Sequence, residues 1–305
     1  MRKTTILALL VLTALLSACT GEGDFTPPAF LHVDAVEVAK SDEDPLSLND
    51  GFYCSDIVAV YVVAHYPSLN TIDTIGLFRL PFTTPVLFNG KADYIDLYPA
   101  VEQSGISGTL PYYNFYQRIH LTAADSTTLV TGDTLNLGTV TTHYSKYTKK
   151  LFYSSFDNDD GSSRFDSLLT VVHNSDEACT GVGYGRMHLT ADQLTAKFAI
   201  VNEDPFIVSD PSNIIYIELD TRSDVRLQVY MHSAYVTGGR EDVLPVMVIN
   251  PTDHWQHMYI NLGKTWSYFN HHSTFKISFE ALNTDGIEGD IRIDNVKIIT
   301  SNVVL

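Results

Sequence analysis

The sequence predicts an all-β protein built as two β-sandwiches in series. Short runs of β-branched and aromatic residues alternate with a period of two, and Gly, Pro, Asn and Asp punctuate them at turn-like intervals. No window of twelve residues carries a convincing helical stripe. A chain of 305 residues has room for two ordinary domains or for one large sandwich.

The N-terminus reads as an export signal. Basic Arg2 and Lys3 precede an apolar run from Ile6 to Leu16, and small residues then lead into Cys19, an order too short and too abruptly ended for a membrane span. Leu16-Ser17-Ala18-Cys19 resembles the lipobox of bacterial lipoproteins. That resemblance implies cleavage after residue 18, a covalent lipid on Cys19 and a membrane held through that anchor, since two or three acyl chains give stable retention. Residues 19–28, small, acidic and proline-bearing, then form a flexible tether. Glu22 and Asp24 resemble the acidic export signal of Bacteroidota-type surface lipoproteins, which implies the outer membrane and its outer face, with the periplasmic face as the alternative.

Composition narrows the partners. The chain carries 19 Lys plus Arg against 36 Asp plus Glu, a formal charge of −17, and loss of Arg2 and Lys3 on cleavage makes it −19. Such a surface repels phosphate backbones, so nucleic acid is excluded as a partner, while neutral sugars, cationic partners and divalent metals suit it.

Residues 29–145 form the first domain. Residues 31–38 alternate apolar and polar with a slip of phase at Ala35-Val36, and further strands are expected at 57–64, 75–80, 94–98, 116–121 and 135–142. About seven short strands in about 120 residues is the pattern of an immunoglobulin- or transthyretin-like sandwich. Leu80-Pro81-Phe82-Thr83-Thr84-Pro85-Val86-Leu87, with Asn89-Gly90 and Tyr98-Pro99, is similar to the first domain of a group of Bacteroidota lipoproteins. Pro111-Tyr112-Tyr113-Asn114-Phe115-Tyr116 reads either as a loop folded onto its own core or as an exposed aromatic platform.

Three lysines among residues 145–150 mark a boundary, and residues 151–305 carry the second domain. Strands are expected at 168–173, 186–190, 196–201, 214–221, 225–232, 243–249, 258–262, 274–281 and 291–300, with a short helix near 266–270. About nine strands in about 150 residues is the pattern of a jelly-roll β-sandwich. The opening Tyr153-Ser154-Ser155-Phe156-Asp157-Asn158, the closing Ile291-Arg292-Ile293-Asp294-Asn295-Val296-Lys297-Ile298, and Pro251-Thr252-Asp253-His254-Trp255 leading into residues 258–262 resemble carbohydrate-binding-module jelly rolls. In that family a structural calcium is shared by the opening and closing segments, so the resemblance implies Asp157 and Asp294 as metal ligands, with the hard oxygens calcium prefers.

Sugar recognition needs flat apolar rings and a polar rim. Trp255 and Trp266 are the only tryptophans, and Tyr230, Tyr235, Tyr268 and His271 lie near them in sequence, so these six are the expected ligand-binding residues. No Gly-x-Ser-x-Gly elbow or phosphate loop occurs, and scattered carboxylates define no glycosidase pair. Cys54 and Cys179 fall in different domains; export allows a disulfide, but one bridge across two domains would be unusual and two separately buried thiols are expected. The expected function is non-catalytic binding of a glycan; the rivals are a structural or adhesive protein that grips another surface protein, and a glycoside hydrolase.

Overall fold

The computed structural model describes residues 27–41, 50–66, 70–86, 94–122, 132–157, 164–166, 168–201, 206–207, 214–234, 241–269 and 274–301. The export segment, Cys19, most of the tether, Tyr235 and His271 lie outside the described residues. Among those residues no helix is long and apolar enough to cross a membrane.

The protein is all-β. The N-terminal unit contains β1 (Ala29–Val33), β2 (Ala35–Val38), β3 (Ala59–Tyr66), β4 (Thr71–Arg79), β5 (Phe82–Val86), β6 (Tyr94–Ala100), β7 (Ile119–Thr122), β8 (Thr134–Asn136) and β9 (Thr139–Thr142). The rest of the chain contributes β10 (Lys149–Ser154), β11 (Thr170–His173), β12 (Gly183–Leu189), β13 (Thr195–Ala199), β14 (Phe206–Ile207), β15 (Ile214–Ser223) and β16 (Arg226–Ala234). It then continues through β17 (Glu241–Ile249), β18 (Thr252–Asn261), helix α1 (Gly263–Trp266), β19 (Thr274–Leu282) and β20 (Gly289–Ser301).

In the first unit the order β4-β3-β6-β7 faces β5-β1-β8, and β2 pairs with β9. The phase slip at Ala35 is real: Asp34 divides one expected strand into β1 and β2, whose partners β8 and β9 run parallel to them. Gly138, at φ +61°, makes the matching break on the other side.

The jelly roll stacks β11-β12-β20-β15-β18, with β10 also on β20, against β13-β19-β16-β17, with β14 on β19. Ile215, Ile217 and Leu219 of β15 and Ile291, Ile293, Val296 and Ile298 of β20 point into the core between these sheets. Alternation sends Tyr216, Glu218 and Asp220 to the opposite face, and that face is covered by the first unit. Tyr153, Tyr216, Tyr259 and Ile299 pack into the same apolar cluster as Phe52, Val60, Tyr113, Phe115 and Tyr144. The centre of the larger sheet, along β15 and β20, is therefore buried on both sides.

Candidate functional site

The residues expected to bind ligand do not converge. Trp266 is 4% exposed and packs against Phe269 and Phe275 at 6.2 and 5.8 Å between ring centroids. Helix α1 leaves β18 at Leu262, whose carbonyl accepts from Trp266 N, and lays the indole into the core, where no sugar reaches it. Its neighbour Tyr268 is thrown outward at 70% exposure. Trp255 lies inside β18, which begins six residues before the expected strand at 258, and its Nε1 donates to the Glu177 carbonyl at 3.0 Å while the ring meets the edge of Tyr184. Its indole thus pins a loop. Tyr230 sits on the outer face of the smaller sheet, with Lys197 Nζ 5.7 Å from its ring and its hydroxyl on Glu280, so it belongs to a different surface from Trp255.

An open cleft of about 470 Å³ lies in the first unit instead, between β6 and the turns at 111–118 and 145–147. The turn is folded by Tyr113 N donating to Pro99 O (2.8 Å), Val101 N to Pro111 O (3.3 Å) and Tyr116 N to Tyr113 O (3.0 Å). Tyr113, Phe115 and Tyr116 point inward and are essentially buried, whereas Tyr112 is 39% exposed. Both readings of the 111–116 cluster are realised, by different residues. Tyr112 meets Tyr61 and Tyr98 edge to face at 6.4 and 6.2 Å. Tyr147, exposed across the cleft, has Lys146 Nζ 5.3 Å from its ring.

The polar rim of this cleft is cationic. Arg118, His120 and Lys146 line it, and among the described residues no Asp or Glu does. Beneath it the fully buried Asp96 takes His120 Nδ1 at 2.6 Å, His65 Nε2 at 2.9 Å and Arg118 at 3.3 Å, which fixes their orientation. The signal for these residues was Arg118-Ile119-His120, a period-two pair of basic side chains beside Tyr116 in an acidic chain. Residues 145–150 carried the other half and read only as a boundary.

Between the units lies a buried ionic ladder. Glu218 stands directly opposite Lys297 on β20 and Tyr259 on β18, and Asp220 stands opposite Asp294 and His257. Lys297 Nζ is 2.8 Å from Glu218 Oε2 and donates to the carbonyls of Phe52 (2.6 Å) and Cys54 (3.2 Å) and to the Tyr144 hydroxyl (3.0 Å). Tyr113 and Tyr144 donate to the two oxygens of Glu218 at 2.7 and 2.8 Å. Burial raises the Glu218 carboxyl, but the Lys297 charge and the nearby His257 ring, with Nε2 3.7 Å away, outweigh it and hold the group at about 2. Burial lowers His257, while the Asp220 carboxylate at 2.7 Å raises it to about 9.

Asp157 and Asp294 meet at one loop. Asp157 Oδ1 accepts from Val182 N and Gly183 N at 2.6 and 3.0 Å, and Asp294 accepts from Thr180 N and Asn295 N at 3.2 and 2.7 Å. A Cβ on Gly181, at φ +66°, would lie 2.2 Å from Asp157 Oδ1, so only glycine lets the loop wrap that carboxylate. Asp294 is completely buried, and among the described residues no cationic side chain pairs with it. Burial, reinforced by Asp220 and Asp157, raises it to about 8 against the pull of the two N–H groups. An oxygen-rich pair short of positive charge fits a hard divalent cation.

The thiols correct a further expectation. Cys54 and Cys179 are half-buried and sit together at the seam, their sulfurs and an Asp220 oxygen all within 4.8 Å of one another.

No protein-family model matches the sequence, and no curated protein matches it. Solved structures do resemble it. The C-terminal family 22 carbohydrate-binding module of Clostridium thermocellum Xyn10B is 12% identical, covering 51% of this chain and 97% of that one at a TM-score of 0.33. The family 11 module of the cellulosomal cellulase Lic26A-Cel5E, also from Clostridium thermocellum, is 13% identical over 49% of this chain and 95% of its own, at 0.33. A family 30 carbohydrate-binding module is 18% identical over 45% and 76%, at 0.36. The shared feature is the β-sandwich.

Proposed function

We propose that this protein is a lipid-anchored outer-membrane protein that binds a glycan at the cell surface without transforming it, and that the cleft of Tyr98, Tyr112 and Tyr147 is where the sugar lies. The cleft itself carries the reading: exposed ring faces and edges offer apolar contact to sugar C–H groups, and a rim of fixed polar groups sets orientation. Glycoside hydrolysis needs two carboxyls roughly 5–9.5 Å apart, and among the described residues the lining supplies none. The cationic rim favours a sugar bearing a carboxylate, such as a uronic acid, over a neutral one. Lipidation of Cys19 places the cleft outside the cell, and fatty-acid labelling of the mature chain tests that part.

Asp157 and Asp294 would hold the structural calcium. Bound there it would neutralise the buried carboxylates and tie the opening and closing strands of the jelly roll together.

Titration calorimetry with oligouronates and with neutral oligosaccharides of equal length tests the site. Tyr112→Ala is expected to weaken oligouronate binding about tenfold or more, because one stacked ring contributes roughly 1–3 kcal/mol by analogy with other ring-stacking sites. Undiminished binding by that variant, or no binding of any glycan by the intact protein, overturns the reading.

A further inference from the structure

We propose that Cys54 and Cys179 are the two halves of a disulfide that locks the N-terminal unit onto the jelly roll. The two are 125 residues apart in sequence and come from different units, yet their sulfurs lie within 4.8 Å of each other. Both lie at the rim of the seam, half-buried, so an oxidant reaches them while the flanking backbone is held. Lys297 Nζ grips the Cys54 carbonyl, and Thr180, next to Cys179, is fixed through its N–H on Asp294 and its hydroxyl on Asn295.

The chemistry of the pair favours a bond between the sulfurs over a metal ion. Asp220, the one further donor within reach among the described residues, already accepts from His257 Nδ1 at 2.7 Å and Asn295 Nδ2 at 2.8 Å. Two sulfurs and an engaged carboxylate do not complete the four ligands of a structural zinc site. The neighbouring Cys179 thiol lowers the Cys54 thiol against the effect of burial, and His257 and Lys297 add to the lowering, which makes Cys54 the attacking sulfur. Its thiolate displaces one sulfur of a disulfide oxidant to give a mixed disulfide. Cys179, losing its proton, then attacks Cys54 and releases the second oxidant sulfur, so that two protein thiols and one disulfide become one protein disulfide and two thiols.

Full-length protein, refolded with glutathione disulfide as the oxidant, is alkylated under denaturing conditions and digested without reductant. A peptide joining Cys54 to Cys179, and a melting temperature about 10 °C lower after reduction, are expected, since closing so long a loop restrains the unfolded chain strongly. Cys54→Ser/Cys179→Ser should melt near the reduced protein and ignore reductant. Should that variant fail to fold, the comparison of oxidised with reduced wild type decides alone. Separate alkylated peptides for both cysteines, or zinc retained in native mass spectra, overturns the proposal.

Discussion

Replacing Lys297 by Met removes a buried cation that serves both units at once. Its ammonium holds Glu218 at 2.8 Å, two backbone carbonyls and the Tyr144 hydroxyl, and it stands 4.9 Å from the Phe52 ring, all at zero side-chain exposure. Methionine fills similar volume, so packing changes little. What remains is a buried carboxylate without its counter-charge and two carbonyls without a donor. Breaking a buried pair from one side costs about 3–5 kcal/mol, and an orphaned buried carbonyl about 1–3 kcal/mol more. Glu218 keeps the Tyr113 and Tyr144 hydroxyls, so the lower figure is the better expectation. For a chain of this size 3 kcal/mol corresponds to a fall of roughly 6–12 °C in melting temperature. Urea denaturation followed by tyrosine and tryptophan fluorescence measures the loss directly, and Lys297→Met/Glu218→Gln should recover much of it because no uncompensated charge stays behind. A loss below about 1 kcal/mol for the single variant would refute the view that this ladder joins the units.

His257 predicts a pH profile: with its folded pKa raised from 6.5 to about 9, its stabilisation is complete below 6.5 and is lost as pH rises through 9. Melting temperature should therefore fall between pH 6.5 and 9, and His257→Gln should flatten that slope. Glu218, depressed from 4.5 to about 2, works the other way: its contribution is present above 4.5 and disappears as pH drops toward 2, so acid unfolding should steepen in that window. Added calcium should raise the melting temperature and excess chelator reverse it, and Asp157→Asn should abolish the response; a transition indifferent to both removes the metal. Arg118→Gln, with Lys146 left in place, should weaken oligouronate binding and reduce its dependence on salt, as measured by calorimetry at 50 and 300 mM NaCl.

Much of the fold was legible because burial on one side imposes a clean period of two. Strands 15, 16, 19 and 20 fall within a few residues of their expected bounds, since Ile, Val and Leu alternate there against a packed partner. Phe82–Val86 was missed because Pro81 and Pro85 read as punctuation, yet Pro85 sits opposite Phe30 in a strand with only one partner, where a missing N–H is tolerated. Lys149 and Lys150 read as a boundary and are in fact the first rungs of β10, paired with Thr300 and Ile299. The open cleft was illegible for a different reason. Tryptophan was weighted by its aptness for sugar, but whether an indole stacks on ligand or on Phe275 depends on where one helical turn sets it.

The seam escaped the sequence because its polar residues imitate a solvent face. Read along β15 alone, Tyr216, Glu218 and Asp220 alternate with Ile215, Ile217 and Leu219 as an exposed edge of a sandwich would. Their true environment is set by the two adjacent strands, where His257 and Lys297 arrive in register from β18 and β20 with the opposite charge. Each pair resembles an ordinary surface residue until the ladder aligns them, and the N-terminal unit then closes over a face whose charges already cancel. The β15–β18 part of this face is filled by Tyr113, Tyr116 and Tyr144 of the first unit and is closed to a ligand. Any glycan must be met elsewhere, and the same turn that sends Tyr113 and Tyr116 into the seam presents Tyr112 to the open cleft. Seam and cleft are thus two sides of one tyrosine-rich loop, and if the proposed site holds the glycan, a variant that loosens the seam, such as Lys297→Met, should also blunt oligouronate binding although it touches no lining residue.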